Sequence, residues 1–385
     1  MHDVSARPYP AYGASWATRG SPAEQGFLLR CGERPTSLDD AASDTFVAMR
    51  AFASVFICVF LASLPAAAEK PLQIFFVDVE GGQATLFVAP SGQSLLVDTG
   101  WPGHAYRDAL RIAKAAKLAG IKKIDYVLVT HFHEDHVGGV PQLAEKIPVG
   151  TFIDHGESVE TGNREKILYA DYRKAIANAQ RIIPKPGDKI PIKGLDVTVV
   201  SANGDVITGP LAGGGAPNPL CSAHVEKEVD TSENARSVGT YYQFGKFRTI
   251  DLGDLTWNKE FLLACPSVKL PPVDVYIVTH HGAELSSNPV LVKSLGFRVA
   301  IMDNGSTKGG DASTVDTIRS SPGFQDLWQL HFANAGGKEH NAPDAYIANV
   351  VEADTGYYLK LTAWEDGSFE VYDERNKQSK KYAAR

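Results

Sequence analysis

The chain has 385 residues, 44% of them hydrophobic and 22% charged, with a formal net charge of −7 at pH 7. That is enough for one large domain or two ordinary ones of globular composition. The acidic balance gives no bulk attraction for nucleic acid, and no apolar run reaches the roughly 18 residues of a confident transmembrane helix.

Residues 1–48 lack sustained periodicity and are rich in Pro, Gly, Ser and Arg. They are expected to be disordered, or upstream sequence that is not part of the true protein. Met49-Arg50 then opens an apolar stretch from Ala51 to Leu64, closed by Pro65-Ala66-Ala67-Ala68. A short basic start, an apolar centre and small residues at the end predict a signal peptide over 49–68. Residues 69–385 are then expected to be a single exported domain with a C-terminal extension, periplasmic or secreted, with no transmembrane span once the leader is removed. Cys221 and Cys265 are the two cysteines that remain, and in an exported protein they form a candidate disulfide. The rival reading makes Cys221 a soft metal ligand.

Leu72 to Val79 reads as the first strand, followed by a turn at Glu80-Gly81-Gly82. Ala84 to Ala89 and Ser94 to Asp98 predict a hairpin around Pro90-Ser91-Gly92. Gly103 to Ala119 has helical apolar spacing, and Gly120 stops it. Ile124 to Thr130 is an apolar, β-branched run that predicts a buried strand. Pro141 after Gly138-Gly139 suggests a helix start. Val149 to Asp154 reads as a strand ending in His155-Gly156, Asn163 to Gln180 as a helix, and Leu195 to Ser201 as a strand. Asn203 to Asn234, with three consecutive glycines and several prolines, predicts a long functional loop or flap. Beyond it, Ser237 to Phe244 and Phe247 to Leu252 form a hairpin. Trp257 to Ala264 is helical, Val273 to Thr279 is a strand ending in His280-His281-Gly282, and Pro289 to Leu295 is a short helix. Val299 to Asp303 is a further strand, and the tail from Tyr346 to Tyr372 is hairpin-like.

One stretch concentrates chemistry: Thr130-His131-Phe132-His133-Glu134-Asp135-His136. A strand has a period of two, so His131 and His133 are expected to share a face and bind one metal ion. Asp135 and His136 come after the chain turns and are expected to face a second ion. The chain also repeats itself. Ile124 to His131 resembles Val273 to His280, and Leu95 to Gly100 resembles Arg248 to Gly253. Two similar halves predict a duplicated unit with two packed sheets whose strand ends meet along one edge.

These residues identify a resemblance. The His-x-His-x-Asp-His stretch, Val97-Asp98-Thr99-Gly100 and Leu252-Gly253-Asp254 resemble the metallo-β-lactamase superfamily. Phe76 to Ala84, Asn234-Ala235-Arg236-Ser237 and His280-His281-Gly282 are similar to the hydrolase domain of DNA-uptake competence proteins. The resemblance implies an α/β (α+β) fold: an αββα sandwich of two mixed sheets, helices outside, with a metal site on one edge. It places Asp254 between two divalent ions, most simply Zn²⁺, with Mn²⁺ or Fe²⁺ as alternatives. It gives Asp98 the role of orienting a ligand. The internal repeat points to His280 as the second-ion histidine, with His281 turned the other way as the alternative. For the third ligand of the first ion, His155 at a strand end is preferred and His224 in the flap is the alternative. Asn304 and His331 are weaker candidates for substrate contact. The expected activity is hydrolysis by a hydroxide bridging the ions, with Asp135 orienting the water, on a small-molecule or phosphodiester substrate. A lactam or lactone hydrolase, or a non-catalytic metal-binding envelope protein, are the alternatives. No protein partner is indicated.

Overall fold

Strict alternation of apolar side chains builds the centre of the molecule. In the strand Leu72–Phe76, Leu72, Ile74 and Phe76 point into one core and Phe75 into another. Val275 and Ile277 likewise face the first core from Val275–Ile277, while Tyr276 faces away from it. Two faces buried on every central strand require two further layers, because a sheet with both faces apolar must be covered on both. In this computed structural model, residues 70–351 and 353–385 are described. The expected signal peptide and everything before it lie outside them.

The described residues form an αββα sandwich of two nine-stranded sheets. The first sheet runs in the order Ser379–Tyr382, Phe369–Asp373, Leu359–Ala363, Leu72–Phe76, Thr85–Val88, Ser94–Val97, Ile124–Leu128, Val149–Ile153, Gln180–Ile182. The second runs Ile347–Asn349, Asp326–His331, Val299–Met302, Val275–Ile277, Phe247–Asp251, Gly239–Phe244, Asp196–Ala202, Lys189–Ile190, with Asp205–Val206 beside Asp196–Ala202. Phe87 and Tyr242 stack across the interface with ring centroids 4.2 Å apart. The helices Arg107–Leu118, Val140–Lys146 and Asn163–Ala175 lie on the outer face of the first sheet, packed through Ile112, Leu143 and Tyr172. Trp257–Ala264, Pro289–Val292 and Ala312–Arg319 cover the second, through Leu263, Leu291 and Ile318.

The feature that places the site is the run of parallel strands in each sheet. Ser94–Val97, Ile124–Leu128 and Val149–Ile153 are parallel in the first. Phe247–Asp251, Val275–Ile277, Val299–Met302 and Asp326–His331 are parallel in the second. Their C-terminal ends carry Asp98, His131, Asp254, His280 and His281, and such ends are where open α/β sheets gather ligands. The two edges meet directly, since Val238 N donates to Thr130 O at 2.9 Å.

The long segment that links Asp205–Val206 to Gly239–Phe244 within the second sheet is pinned rather than loose. Leu211 N and Gly215 N donate to Lys269 O and Val268 O, at 2.8 and 2.7 Å. Cys221 and Cys265 form a disulfide with Cα atoms 5.8 Å apart, so Cys221 is not a metal ligand. Among the described residues, no helix is long and apolar enough to cross a membrane.

Candidate metal centre

The His-rich segment leaves its sheet early. The strand stops at Leu128, so His131 and His133 do not owe their meeting to strand alternation, contrary to the expectation from spacing. They meet in the turn that follows, where His131 Nε2 lies 3.0 Å from His133 Nδ1. Asp98 holds this turn from the neighbouring strand end. Its Oδ1 accepts from Thr130 N at 2.8 Å, and its Oδ2 accepts from Thr130 Oγ1 at 2.7 Å and from His136 Nδ1 at 2.7 Å. With Nδ1 engaged, His136 presents Nε2 inward, 3.1 Å from Asp135 Oδ2 and 3.3 Å from Asp254 Oδ2.

The second sheet supplies the facing half. Gly253 turns the chain at φ 54 with its Cα against Thr130, where a Cβ would come within 2.8 Å of the threonine side chain. Asp254 follows and is buried. Its Oδ2 lies 3.2 Å from His280 Nε2 and 3.8 Å from His131 Nε2, and its Oδ1 lies 3.4 Å from His281 Nε2. His280 and His281 both adopt left-handed backbone, φ 58 and 54. Two consecutive left-handed residues break the strand alternation that would have turned His281 away. It therefore joins the cluster, 3.3 Å from Asp135 Oδ2 and 3.2 Å from His136 Nε2, with Nδ1 facing Asp303 O at 3.3 Å. His280 Nδ1 faces Ser286 Oγ at 3.0 Å.

Burial acts against charge throughout this cluster, and neighbouring charge decides the outcome at each group. Burial raises the Asp135 and Asp254 carboxyls, yet the histidines around them hold both well below the usual carboxylate range; Lys308 adds to this at Asp135. Burial disfavours the His136 cation, yet Asp254, Asp135 and Asp98 hold it well above its ordinary value. His131 has His136 as its strongest neighbour, so burial and then that neighbour hold it well below. Ionised carboxylates among converging imidazoles are the environment of a cation. Donor atoms of Asp135, His136, Asp254 and His281 all lie within 4.8 Å of one another. Asp254 Oδ1 is buried and accepts no hydrogen bond. The donor set and this orphaned oxygen fit divalent metal.

The family model for the metallo-beta-lactamase superfamily matches residues 77–229, which include Asp98 and His131 to His136. Over that stretch the chain is similar to the metallo-beta-lactamase superfamily. It is 27% identical over 188 residues to ComE operon protein 3 of Bacillus subtilis (strain 168), covering 48% of this chain and 20% of that protein. It is 31% identical over 101 residues to hydroxyacylglutathione hydrolase of Xylella fastidiosa (strain M23), covering 26% of this chain and 35% of that protein. The matches thus span between 20% and 35% of the length of these curated relatives. Among solved structures, Zn²⁺-bound PqqB from Methylobacterium extorquens aligns over 67% of this chain and 97% of its own, with TM-score 0.40 and 15% identity. The stretch that matches the family model contributes Asp135 and His136 to the donor group.

Other expected residues lie elsewhere in the fold. His155 is not brought to the His131–His133 pair: its Nε2 is 2.7 Å from Glu233 Oε2. Glu233, reaching in from the flap, also accepts from Phe132 N, Ser158 Oγ and Val159 N, at 3.0, 2.9 and 2.6 Å. His155 therefore pins the flap to the histidine turn. His224 stacks on Phe261 with centroids 3.8 Å apart and lies 3.2 Å from Asn288 Nδ2, away from the cluster. Asn304 is buried and donates to His331 O at 2.8 Å. His331 is buried too, with Nε2 at 2.7 Å from Asp78 Oδ1. Neither side chain is a surface for substrate. Asp78, Glu80 and His331 do form a second donor group, but Arg111 lies 3.1 Å from Asp78 and 3.5 Å from Glu80 and already supplies the positive charge.

Spacing arguments missed two contributors, Asp303 and Lys308. Asp303 and Ser286 buttress the second histidine pair, and Lys308 touches Asp135 Oδ2. The available signal was position. Asp303 and Lys308 follow the strand Val299–Met302, which sits beside the strand carrying the histidines, and Gly309-Gly310 marks a tight turn there.

Proposed function

We propose that the chain is an exported hydrolase that cleaves a phosphodiester with two divalent metal ions, most simply Zn²⁺, with Mn²⁺ or Fe²⁺ as alternatives. The buried convergence of Asp135, His136, Asp254 and His281, with His131 and His133 beside it, carries this reading. Asp135, His136 and His281 would hold one ion, His131 and His133 the other, and Asp254 would stand between them. Bound ions of this kind lower the pKa of water to near neutrality and stabilise charge developing on the attacked group. The protein's own part is orientation. Asp98 keeps His136 in the tautomer whose Nε2 faces inward, the Asp303 carbonyl does the same for His281, and Asp135 orients the attacking water. The phosphodiester class draws on the resemblance to the competence branch and the likeness to ComE operon protein 3, and is an argument by association. Export draws on the disulfide and the apolar segment before residue 69.

The test uses the purified chain with its His136→Ala and Asp254→Asn variants. Bound metal is measured by elemental analysis, and hydrolysis is followed on an aryl phosphodiester, a lactam and a lactone. Stoichiometric metal with phosphodiester turnover, both lost in the variants, is the expected result. Less than one ion per chain and no turnover would overturn it.

A further inference from the structure

We propose that Lys308 grips an anionic oxygen on the substrate's reacting group, so that the site demands negative charge there; this rests on the metal-dependent hydrolase reading above. The Lys308 ammonium touches Asp135 Oδ2, a member of the donor cluster, and lies 5.4 Å from the centre of the Trp101 ring. Its side chain is 35% exposed where that of Asp135 is 10% exposed. It therefore stands at the mouth of the site. A cleft of about 220 Å³ opens on the same side, lined by Trp101, Phe132, His133, Asp135 and Arg164 among others.

The loop that carries Lys308 is built into the metal-binding framework. Gly305 N donates to Lys308 O at 2.9 Å, closing a turn, and Gly310 N donates to His281 O at 2.9 Å. A Cβ on Gly309 would lie 2.1 Å from His281 O, and one on Gly81 would lie within 3.2 Å of the Lys308 Cβ. The base of the lysine is thus locked to the backbone of a cluster histidine, and only the flexible stem moves. Charge then decides what the ammonium is for. Two divalent ions bring four positive charges against the two carboxylates of Asp135 and Asp254. A lysine beside them is repelled unless an anion lies between. A phosphoryl oxygen bridging toward the lysine completes that balance; a neutral ring does not. Arg164, which also lines the cleft, is already paired with Glu134.

The experiment compares metal-loaded wild type, Lys308→Met and Lys308→Arg, with inorganic phosphate as the probe in titration calorimetry, alongside metal content and thermal melting. One lost charge-assisted contact is worth about 10- to 100-fold in affinity. Lys308→Met should keep its metal and melting point while losing phosphate affinity by that factor, and Lys308→Arg should recover most of it. Unchanged phosphate affinity in fully loaded Lys308→Met overturns the inference, as does loss of metal in that variant, which would make the lysine a positioning residue for Asp135. Lys308-dependent phosphate binding without phosphodiester turnover would support this inference while overturning the phosphodiesterase reading. Phosphodiester turnover with kcat and KM unchanged in Lys308→Met would do the reverse.

Discussion

Asp98→Asn separates orientation from ligation, because Asp98 belongs to the framework and not to the donor cluster. Its Oδ2 faces two donors at once, Thr130 Oγ1 and His136 Nδ1, each at 2.7 Å, while Oδ1 takes Thr130 N at 2.8 Å. An asparagine has one acceptor oxygen for these two sides. Whichever way its amide turns, its NH₂ opposes a donor at a fully buried position. Leaving one buried donor unmatched costs about 1–3 kcal/mol. The same loss frees His136 to rotate or to change tautomer, and loss of such an outer partner weakens metal binding by about 10–100-fold. The two magnitudes agree, since about 1.4 kcal/mol corresponds to a factor of ten. The assay is chelator competition for metal, with melting followed in excess chelator. The variant should bind metal more weakly by that factor, melt earlier by the equivalent of about 1–3 kcal/mol, and regain turnover at high metal concentration. Wild-type affinity together with wild-type stability would refute the reasoning.

Three further outcomes are expected. His155→Ala should leave metal stoichiometry unchanged in elemental analysis while lowering stability by about 1–3 kcal/mol, because it strips Glu233 of a buried partner; loss of an ion would restore His155 as a ligand. Reducing Cys221–Cys265, or replacing both with Ser, should cost about 4 kcal/mol in denaturant unfolding, since the bridge closes a separation of 44 residues; an unchanged midpoint would count against it. Burial lifts the Glu260 carboxyl from its ordinary 4.5 to about 7. The folded state therefore keeps a proton that the unfolded chain releases, and stability is full below pH 4.5 and falls by about 3 kcal/mol as pH rises to 7. Glu260→Gln should remove that component of the fall, so its melting advantage over wild type should grow from pH 5 to pH 8; a difference that does not change with pH would exclude this role.

The parts of the molecule legible in its sequence are those governed by local period and by repetition. Short apolar and β-branched runs bounded by glycine turns marked Thr85–Val88, Ser94–Val97, Gly239–Phe244 and Phe247–Asp251, and the internal repeat anticipated two packed sheets meeting at one edge. The strand Asp326–His331 was not anticipated. Asp326, Gln329 and His331 interrupt its apolar run, and they are satisfied by distant partners such as Tyr382 and Asn341. The Glu233–His155 and Lys308–Asp135 contacts join residues far apart in the chain and leave no local mark. The pair His280-His281 shows where the repeat itself misleads. The repeat aligns His280 with His131, but it says nothing of φ, and two left-handed residues put His281 into the cluster with Asp135 and His136. Each such residue with a Cβ carries a strain of about 1–2 kcal/mol, which closing the cluster must offset. Two consequences can be measured on one set of variants. His281→Ala should lower the affinity of an ion far more than His280→Ala, whose ring meets Asp254 on one side and Ser286 on the other. His280→Gly should be more stable than His280→Ala by about 1 kcal/mol, because glycine removes the strain and alanine does not. Equal stability of those two, with the affinity ranking reversed, would mean that the chain turns at this point as an ordinary strand end and that His280 is the cluster ligand.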